Sequence, residues 1–309
     1  MTKNKPAYHI PVLLTESVDA LRIKPDGVYV DATFGGGGHS REILKRLGPE
    51  GRLFAFDKDE AAQANRIDDP RFTFIPSDFR FLKNHLRFHG IRQIDGLLAD
   101  LGISSHQIDT PGRGFSYRYN APLDMRMNLD DERTAYEIIN EYDEERLAEI
   151  FREYGDLKNA RSIAKTIVKQ RKERPIKTTF ELVDALKPHT PKKTANKFLS
   201  KVFQALRIEV NGEMDALKEM LKQSEDLIRP GGRLAVITYH SLEDRLVKRF
   251  MQTGNFEGKL EKDFYGNYSV PFKKTGKFIV PSATEIERNP RARSAKLRVA
   301  ERQPEKQDA

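Results

Sequence analysis

The chain has 309 residues, no cysteine, no tryptophan, a net charge of +8 and a pI near 9.4. Without thiols it has neither disulfides nor thiolate metal sites, and a chain this long buries a sizeable core without such staples. No stretch is long and apolar enough to span a bilayer, the first residues carry no apolar leader, and the basic excess suits a polyanionic partner, so the expected setting is cytoplasmic.

The first hundred residues alternate strand-like apolar runs with polar or helical segments. Val28 to Val30, Leu53 to Phe56, Phe72 to Ile75 and Gly96 to Ala99 read as strands of a mainly parallel sheet built from βαβ units. Between the first two runs lies Asp31-Ala32-Thr33-Phe34-Gly35-Gly36-Gly37-Gly38-His39-Ser40, followed by a helical Arg41 to Leu47. Strand, glycine loop and helix together make a nucleotide cradle, because glycines admit close backbone approach and the helix start offers free N–H groups. Asp57 ends the second strand about 20 residues beyond Gly38, the spacing of a carboxylate that binds ribose hydroxyls. Ser40 stands where a dinucleotide fingerprint would carry its last glycine, which counts against a nicotinamide enzyme.

After Asp100 the pattern turns helical. Thr134 with Glu137 and Thr178 with Glu181 have the spacing of capping boxes. Ala160, Ile163, Ala164, Ile167 and Val168 form one helical stripe, and Leu199, Val202, Phe203 and Leu206 another. Pro188 and Pro191 break the helix between them. The sheet pattern then resumes: an amphipathic helix over Glu213 to Ile228, a helix stop and turn at Arg229 to Gly232, and a strand from Arg233 to Thr238. The expected organisation is a sheet domain in two pieces, 1–109 and 211–309, interrupted by a helical insertion over 110–210 that would serve substrate recognition.

Eight motifs occur in order along nearly the whole chain: His9 to Leu14, Asp31 to Ser40, Phe56-Asp57, Asp100 to Gln107, Gly112 to Phe115 with Leu123 to Arg126, Gln204 to Ile208, Tyr239 to Arg245, and Asn289 to Arg298. Together they resemble the bacterial RsmH (MraW) family. The resemblance implies a class I, Rossmann-like α/β methyltransferase sheet with an inserted all-helical domain. It also implies S-adenosylmethionine-dependent methylation of the N4 of a cytidine in the decoding region of 16S rRNA, with the rRNA or the small ribosomal subunit as partner. Independently, the spacing of histidines and acids gives no convincing metal cluster. The segment from Pro188 to Gln204 departs from the family's pattern, in which a shorter His-Pro-Ala stretch leads into the Gln204 to Ile208 helix. That departure bears on substrate contacts more than on the cofactor.

The family's cofactor residues map onto Gly37, Gly38, His39, Asp57, Phe79, Asp100 and Gln107. Gly37 and Gly38 keep backbone clear beside the methionine end, and Asp57 accepts from the ribose diol. His39 either bonds the cofactor carboxylate or starts the helix. Phe79 either stacks on adenine or is core, and Asp78 either accepts from the adenine amino group or caps the next helix. Gln107 rests on the resemblance alone. Asp100, at a strand's C-terminal end, is the expected acceptor for the cytosine amino group, assisted by Ser104 and Ser105. Amino-methyltransferases commonly follow this acid with two prolines and an aromatic; here Leu101, Gly102, Ser104 and Ser105 follow, so Tyr239 is either the stacking platform or a core tyrosine. Basic clusters at Lys192, Lys193, Lys197 and Lys201, and at Arg291, Arg293, Lys296 and Arg298, are candidates for phosphate contacts. A nicotinamide dehydrogenase, a DNA cytosine methyltransferase and a non-catalytic RNA-binding assembly factor are the competing readings.

Overall fold

The structure, a computed structural model, describes residues 11–262 and 264–304. It divides into two compact units, one made of the chain up to Gly102 together with Met214 onward, the other of Ile103–Glu213.

The first unit is built on a sheet of seven strands: β1 (Val28–Asp31), β2 (Arg52–Phe56), β3 (Phe72–Ile75), β4 (Ile94–Asp100), β5 (Ile228–Thr238), β6 (Phe272–Lys274) and β7 (Lys296–Arg302). Their order is β3-β2-β1-β4-β5-β7-β6. The first five neighbours pair in parallel, whereas β7 runs antiparallel to both β5 and β6. The mixed α/β sheet expected from the sequence is therefore present, with one reversed strand, β7, between β5 and β6. The chain steps outward from β1 through β2 to β3, then returns to β4 on the other side of β1. The β1–β4 boundary is therefore the topological switch point, where open α/β sheets bind ligands beyond their strand ends.

Successive strand residues feed opposite faces of the sheet, as a period of two requires. Leu97, Ala99, Leu234 and Val236 enter one apolar cluster; Leu98, Ala235 and Ile237 enter another. Helices α1 (Leu14–Ala20) and α2 (Gly38–Arg46) cover the second face, with Val18, Ile43 and Leu44 buried there. Helix α3 (Leu82–Phe88) covers the first face through Leu82 and Leu86.

The second unit holds α4 (Ser105–Asp109), α5 (Ala135–Glu141), α6 (Glu144–Glu153), α7 (Ala160–Glu173), α8 (Thr179–Ala185) and α9 (Ala195–Asn211). Both expected capping boxes form, at Thr134 with Glu137 and at Thr178 with Glu181. The two stripes read from the sequence point into one core: Ile163, Ala164, Ile167, Leu199, Val202, Phe203 and Leu206 are all buried in it. The atypical stretch after Pro188 forms two short 3-10 turns and the opening turns of α9.

Back in the first unit, α10 (Glu213–Leu227) and α11 (Ser241–Thr253) join α3 on the first face through Leu217, Met220, Leu221, Val247, Phe250 and Met251; α12 (Ala283–Arg288) precedes β7. One expectation needs correcting. Arg229 to Gly232 does not separate a helix from a strand but lies inside β5. Ile228 pairs with Ile94 and Arg233 with Gly96, so the residues between them loop out of the ladder. Gly231 sits at φ +80°, and a Cβ on Gly232 would lie 2.7 Å from the Asp95 carbonyl oxygen, which is why the loop-out uses two glycines.

Candidate active site

The C-terminal ends of β1, β2 and β4 each carry an aspartate: Asp31, Asp57 and Asp100. Asp31 closes β1 and is buried. Its Oδ2 accepts from the Ser40 hydroxyl (2.7 Å) and its Oδ1 from the Thr33 N–H (3.1 Å). It thereby ties the start of the glycine loop to the first turn of α2. Thr33 in turn accepts the Asp100 N–H on its hydroxyl (2.7 Å), so the ends of β1 and β4 are locked together.

The glycine loop is shaped by its backbone. Gly35 and Gly37 adopt φ +49° and +75°, values that side chains disfavour. Beside Gly35 nothing lies within 4 Å of where a Cβ would be, whereas a Cβ on Gly38 would sit 2.0 Å from the Pro11 ring. The two glycines serve different ends: Gly35 faces open space, and Gly38 lets α2 pack on the chain at Pro11. The Asp57 carboxylate closes the loop, its Oδ2 accepting the Gly35 N–H (2.7 Å) and its Oδ1 the Asp59 N–H (2.8 Å). Each oxygen keeps a second acceptor site, the pair a ribose diol would need.

His39 is buried in the first turn of α2, with its Nε2 3.2 Å from the Val12 carbonyl oxygen, so its ring helps to seat the helix start. Phe79 is partly buried against the core cluster on the α3 face and opens a 3-10 turn. Asp78 takes the capping role, its Oδ1 accepting the Arg80 N–H (2.9 Å) while its Oδ2 pairs with Lys58 (3.1 Å).

Asp100 ends β4. The Tyr239 hydroxyl donates to its Oδ1 (2.7 Å), and the Tyr239 ring is partly buried against the core cluster on the α2 face. Glu243, buried in the first turn of α11, accepts the Tyr239 N–H (2.8 Å) and fixes the strand end from which the tyrosine projects. His240 is the N-cap of α11 and forms a capping box with Glu243.

Burial sets the electrostatics. Desolvation pushes the carboxyls of Asp31, Asp57 and Asp100 up to about 6, against hydrogen bonds that pull them down. For Asp100 the opposing influences are the nearby His39 and the Tyr239 hydroxyl. Desolvation and the Asp100 charge push the Tyr239 phenol well above its usual range, so it stays protonated and donating. Perturbed carboxylates gathered at the switch point of an α/β sheet are characteristic of a functional site.

Gly37, Gly38, His39, Asp57, Phe79, Asp100 and Tyr239 all belong to the first unit. Ser104, Ser105 and Gln107 belong to the second. Ser104 and Gln107 form the capping box of α4: Ser104 Oγ accepts the Gln107 N–H (3.2 Å), and Gln107 Oε1 accepts the Ser104 N–H (3.0 Å). Gln107, for which the sequence offers no physical account, therefore has a local one. Several basic candidates are committed to neighbours: Arg298 makes two bonds to Asp244 (2.7 and 3.0 Å), Lys296 lies 3.6 Å from the same carboxylate, and Lys201 pairs with Asp156 (2.8 Å). Asp31 and Thr33, which tie the glycine loop to α2 and β4, are not singled out by the sequence pattern. The only signal for Asp31 in the sequence is its place at the end of a strand before glycines.

The chain is 62% identical over 295 residues to the ribosomal RNA small subunit methyltransferase H of Flavobacterium johnsoniae, covering 96% of this chain and 98% of that protein. It is 58% identical to the protein of the same name from Bacteroides thetaiotaomicron, covering 98% of this chain and all of that one. Among solved structures, an rRNA methylase from Streptococcus thermophilus aligns over 96% of this chain and 99% of its own, at 14% identity and a TM-score of 0.43, too distant a likeness to carry a residue-level argument. The model of the MraW methylase family matches residues 6–303, and the chain belongs to that family.

Proposed function

We propose that this protein methylates the exocyclic N4 of a cytidine in the decoding region of 16S rRNA, with S-adenosylmethionine as methyl donor. The observation that carries the reading is the Asp100 carboxylate at the end of β4, held at one oxygen by Tyr239 beside a glycine loop closed by Asp57. The residues fit the donor. Gly35 leaves backbone clear, the start of α2 offers N–H groups to a carboxylate, and Asp57 has two acceptor sites for the ribose hydroxyls. Phe79, half-buried just beyond β3, is the flat side chain this reading assigns to adenine. When bound, the donor supplies a methyl group already activated on a sulfonium sulfur.

The protein's task is to make the amino nitrogen nucleophilic and to place it. The N4 lone pair of cytosine is delocalised into the ring. Asp100 Oδ2 accepts an N4–H, which concentrates density on nitrogen, while Tyr239 holds Oδ1 and so orients the carboxylate. With its carboxyl near pH 6, Asp100 is ionised at neutral pH yet basic enough to receive the proton that N4 loses. Tyr239 is a positioning residue in this scheme. The target base must be unstacked from its neighbours to reach a strand end, so it sits in an unpaired or opened RNA context.

The test is mass spectrometry of 16S rRNA nucleosides from cells with and without the protein, together with purified small subunits treated in vitro. N4-methylcytidine should appear only when the protein is present. Identical nucleoside profiles would exclude the activity. Methylation of duplex DNA in preference to rRNA would reassign the substrate.

A further inference from the structure

Between α11 and β6 the described residues from 257 to 271 form neither helix nor strand. Both ends of this loop are pinned to one core side chain. Phe256 stacks on Phe250 at 5.5 Å and 22°, and the buried Phe272 packs on the same ring at 5.9 Å. The middle does the opposite: Phe264 is 97% exposed, Tyr265 85% and Tyr268 51%. Phe264 and Tyr265 meet edge to face at 5.6 Å and 89°, so neither ring shields both faces of the other. Single exposed apolar residues are ordinary, but three aromatics within five positions of a long loop held at both ends form a presented surface.

The charge around them narrows the partner. Lys259, Lys262, Lys273, Lys274 and Lys277 are all exposed. Over 257–277 the sequence sets these five lysines against three acids, Glu257, Glu261 and Asp263. Lysine is depleted at the centres of protein–protein interfaces but suits a phosphate chain, and flat rings interleaved with lysines form the surface on which unpaired bases stack. Phe278 is of a different kind, because Lys296 and Arg298 already lie over its ring at 5.4 and 5.3 Å.

We propose that loop 257–271 binds single-stranded RNA, with Phe264, Tyr265 and Tyr268 stacking on unpaired bases and the lysines holding the adjoining phosphates. The inference rests on the RNA-methylating reading above, since extruding a target base leaves its neighbours unstacked.

The test compares wild type with the triple variant Phe264→Ala, Tyr265→Ala, Tyr268→Ala. Affinities for a single-stranded oligouridine and for an RNA duplex of equal length are measured across a salt series, with S-adenosylmethionine binding by calorimetry as the check on folding. The single strand should bind about tenfold more weakly or worse, while the duplex and the methyl donor bind as before. The salt slope should not change, because no phosphate contact is removed. Since the chain has no tryptophan, Phe264→Trp supplies a single reporter in a protein that keeps an aromatic ring there, and its fluorescence should be quenched by the oligonucleotide. Wild-type affinity in the triple variant, or an unquenched reporter, would overturn the proposal. So would loss of self-association or of a protein partner with RNA affinity unchanged. Failure of the activity itself is read separately: wild type that forms no N4-methylcytidine refutes the reading above, whereas the oligonucleotide affinities refute or support the loop's role.

Discussion

At the scale of single residues, the site is defined by carboxylates that the fold makes costly to ionise. Asp57 has a carboxyl raised from 3.8 to about 6 by burial, so keeping it charged at neutral pH costs about 3 kcal/mol relative to the unfolded chain. Between pH 6 and 4 the folded state binds a proton that the unfolded state does not. The cost is therefore fully present above pH 6 and is relieved as pH falls through it. Wild type should accordingly gain about 1 kcal/mol of stability relative to Asp57→Asn between pH 7.5 and pH 5. Urea titrations of both proteins at the two pH values measure this, and a constant difference would show that Asp57 titrates normally. Asp100 gives the catalytic counterpart. Its carboxyl, also raised to about 6, must be ionised to accept from N4, so kcat/KM for methyl transfer should fall about tenfold per pH unit below that value. The Tyr239 hydroxyl lowers the Asp100 pKa. Tyr239→Phe should therefore move the acid limb to higher pH as well as reduce the rate. A lower rate with an unmoved limb would mean that the tyrosine acts only through packing.

At the scale of elements, the glycine loop separates two uses of one residue type. Gly38→Ala places a Cβ 2.0 Å from the Pro11 ring, so α2 or the chain at Pro11 must move, at a cost of about 1–3 kcal/mol typical of overpacking. Gly35→Ala meets no atom within 4 Å; it pays only for its left-handed backbone, about 1 kcal/mol, and puts a methyl group where the ligand would lie. The expected outcome is that Gly35→Ala stays folded but binds S-adenosylmethionine at least about tenfold more weakly, whereas Gly38→Ala is the more destabilised of the two. Thermal melts and calorimetry on the pair check this, and equal stability losses would refute the division of roles. These elements could be found from sequence because their signals are local. β1 to β4 are apolar runs bounded by turn residues, and Thr134 and Thr178 stand three residues before a glutamate. The loop-out in β5 could not be found that way, because Pro230-Gly231-Gly232 looks the same whether the chain leaves the sheet or bulges within it. β6 is three residues long, and β7 carries Arg298 and Glu301 inside it and a basic residue at each end, so neither shows a clean strand pattern. The Tyr239–Asp100 bond joins residues far apart in the chain, and no spacing rule announces it.

At the scale of the whole molecule, the division of the chain follows from where its apolar stripes can be buried. The sequence placed the junctions near 110 and 210 from the loss and return of strand signals; the contacts divide the chain at Gly102/Ile103 and Glu213/Met214. The strands before Gly102 lack the neighbour that β5 provides for β4, so the first unit needs chain from both sides. Ile103–Glu213 is continuous, and one apolar cluster collects buried residues from Phe115 to Val210, including Ile138, Phe151, Ile163, Leu182 and Leu206. A continuous segment of this size with its own core meets the requirements of an independent folding unit. The fragment spanning 103–213 should therefore show a helical far-UV spectrum and a cooperative urea transition, with a slope within the usual range of about 1–3 kcal/mol/M. It should not bind S-adenosylmethionine, because Gly35, Asp57 and Asp100 all lie outside it. A broad, non-cooperative transition would show that the helices depend on the sheet for their order. Tight binding of the methyl donor by the fragment would move the cofactor site away from the strand ends altogether.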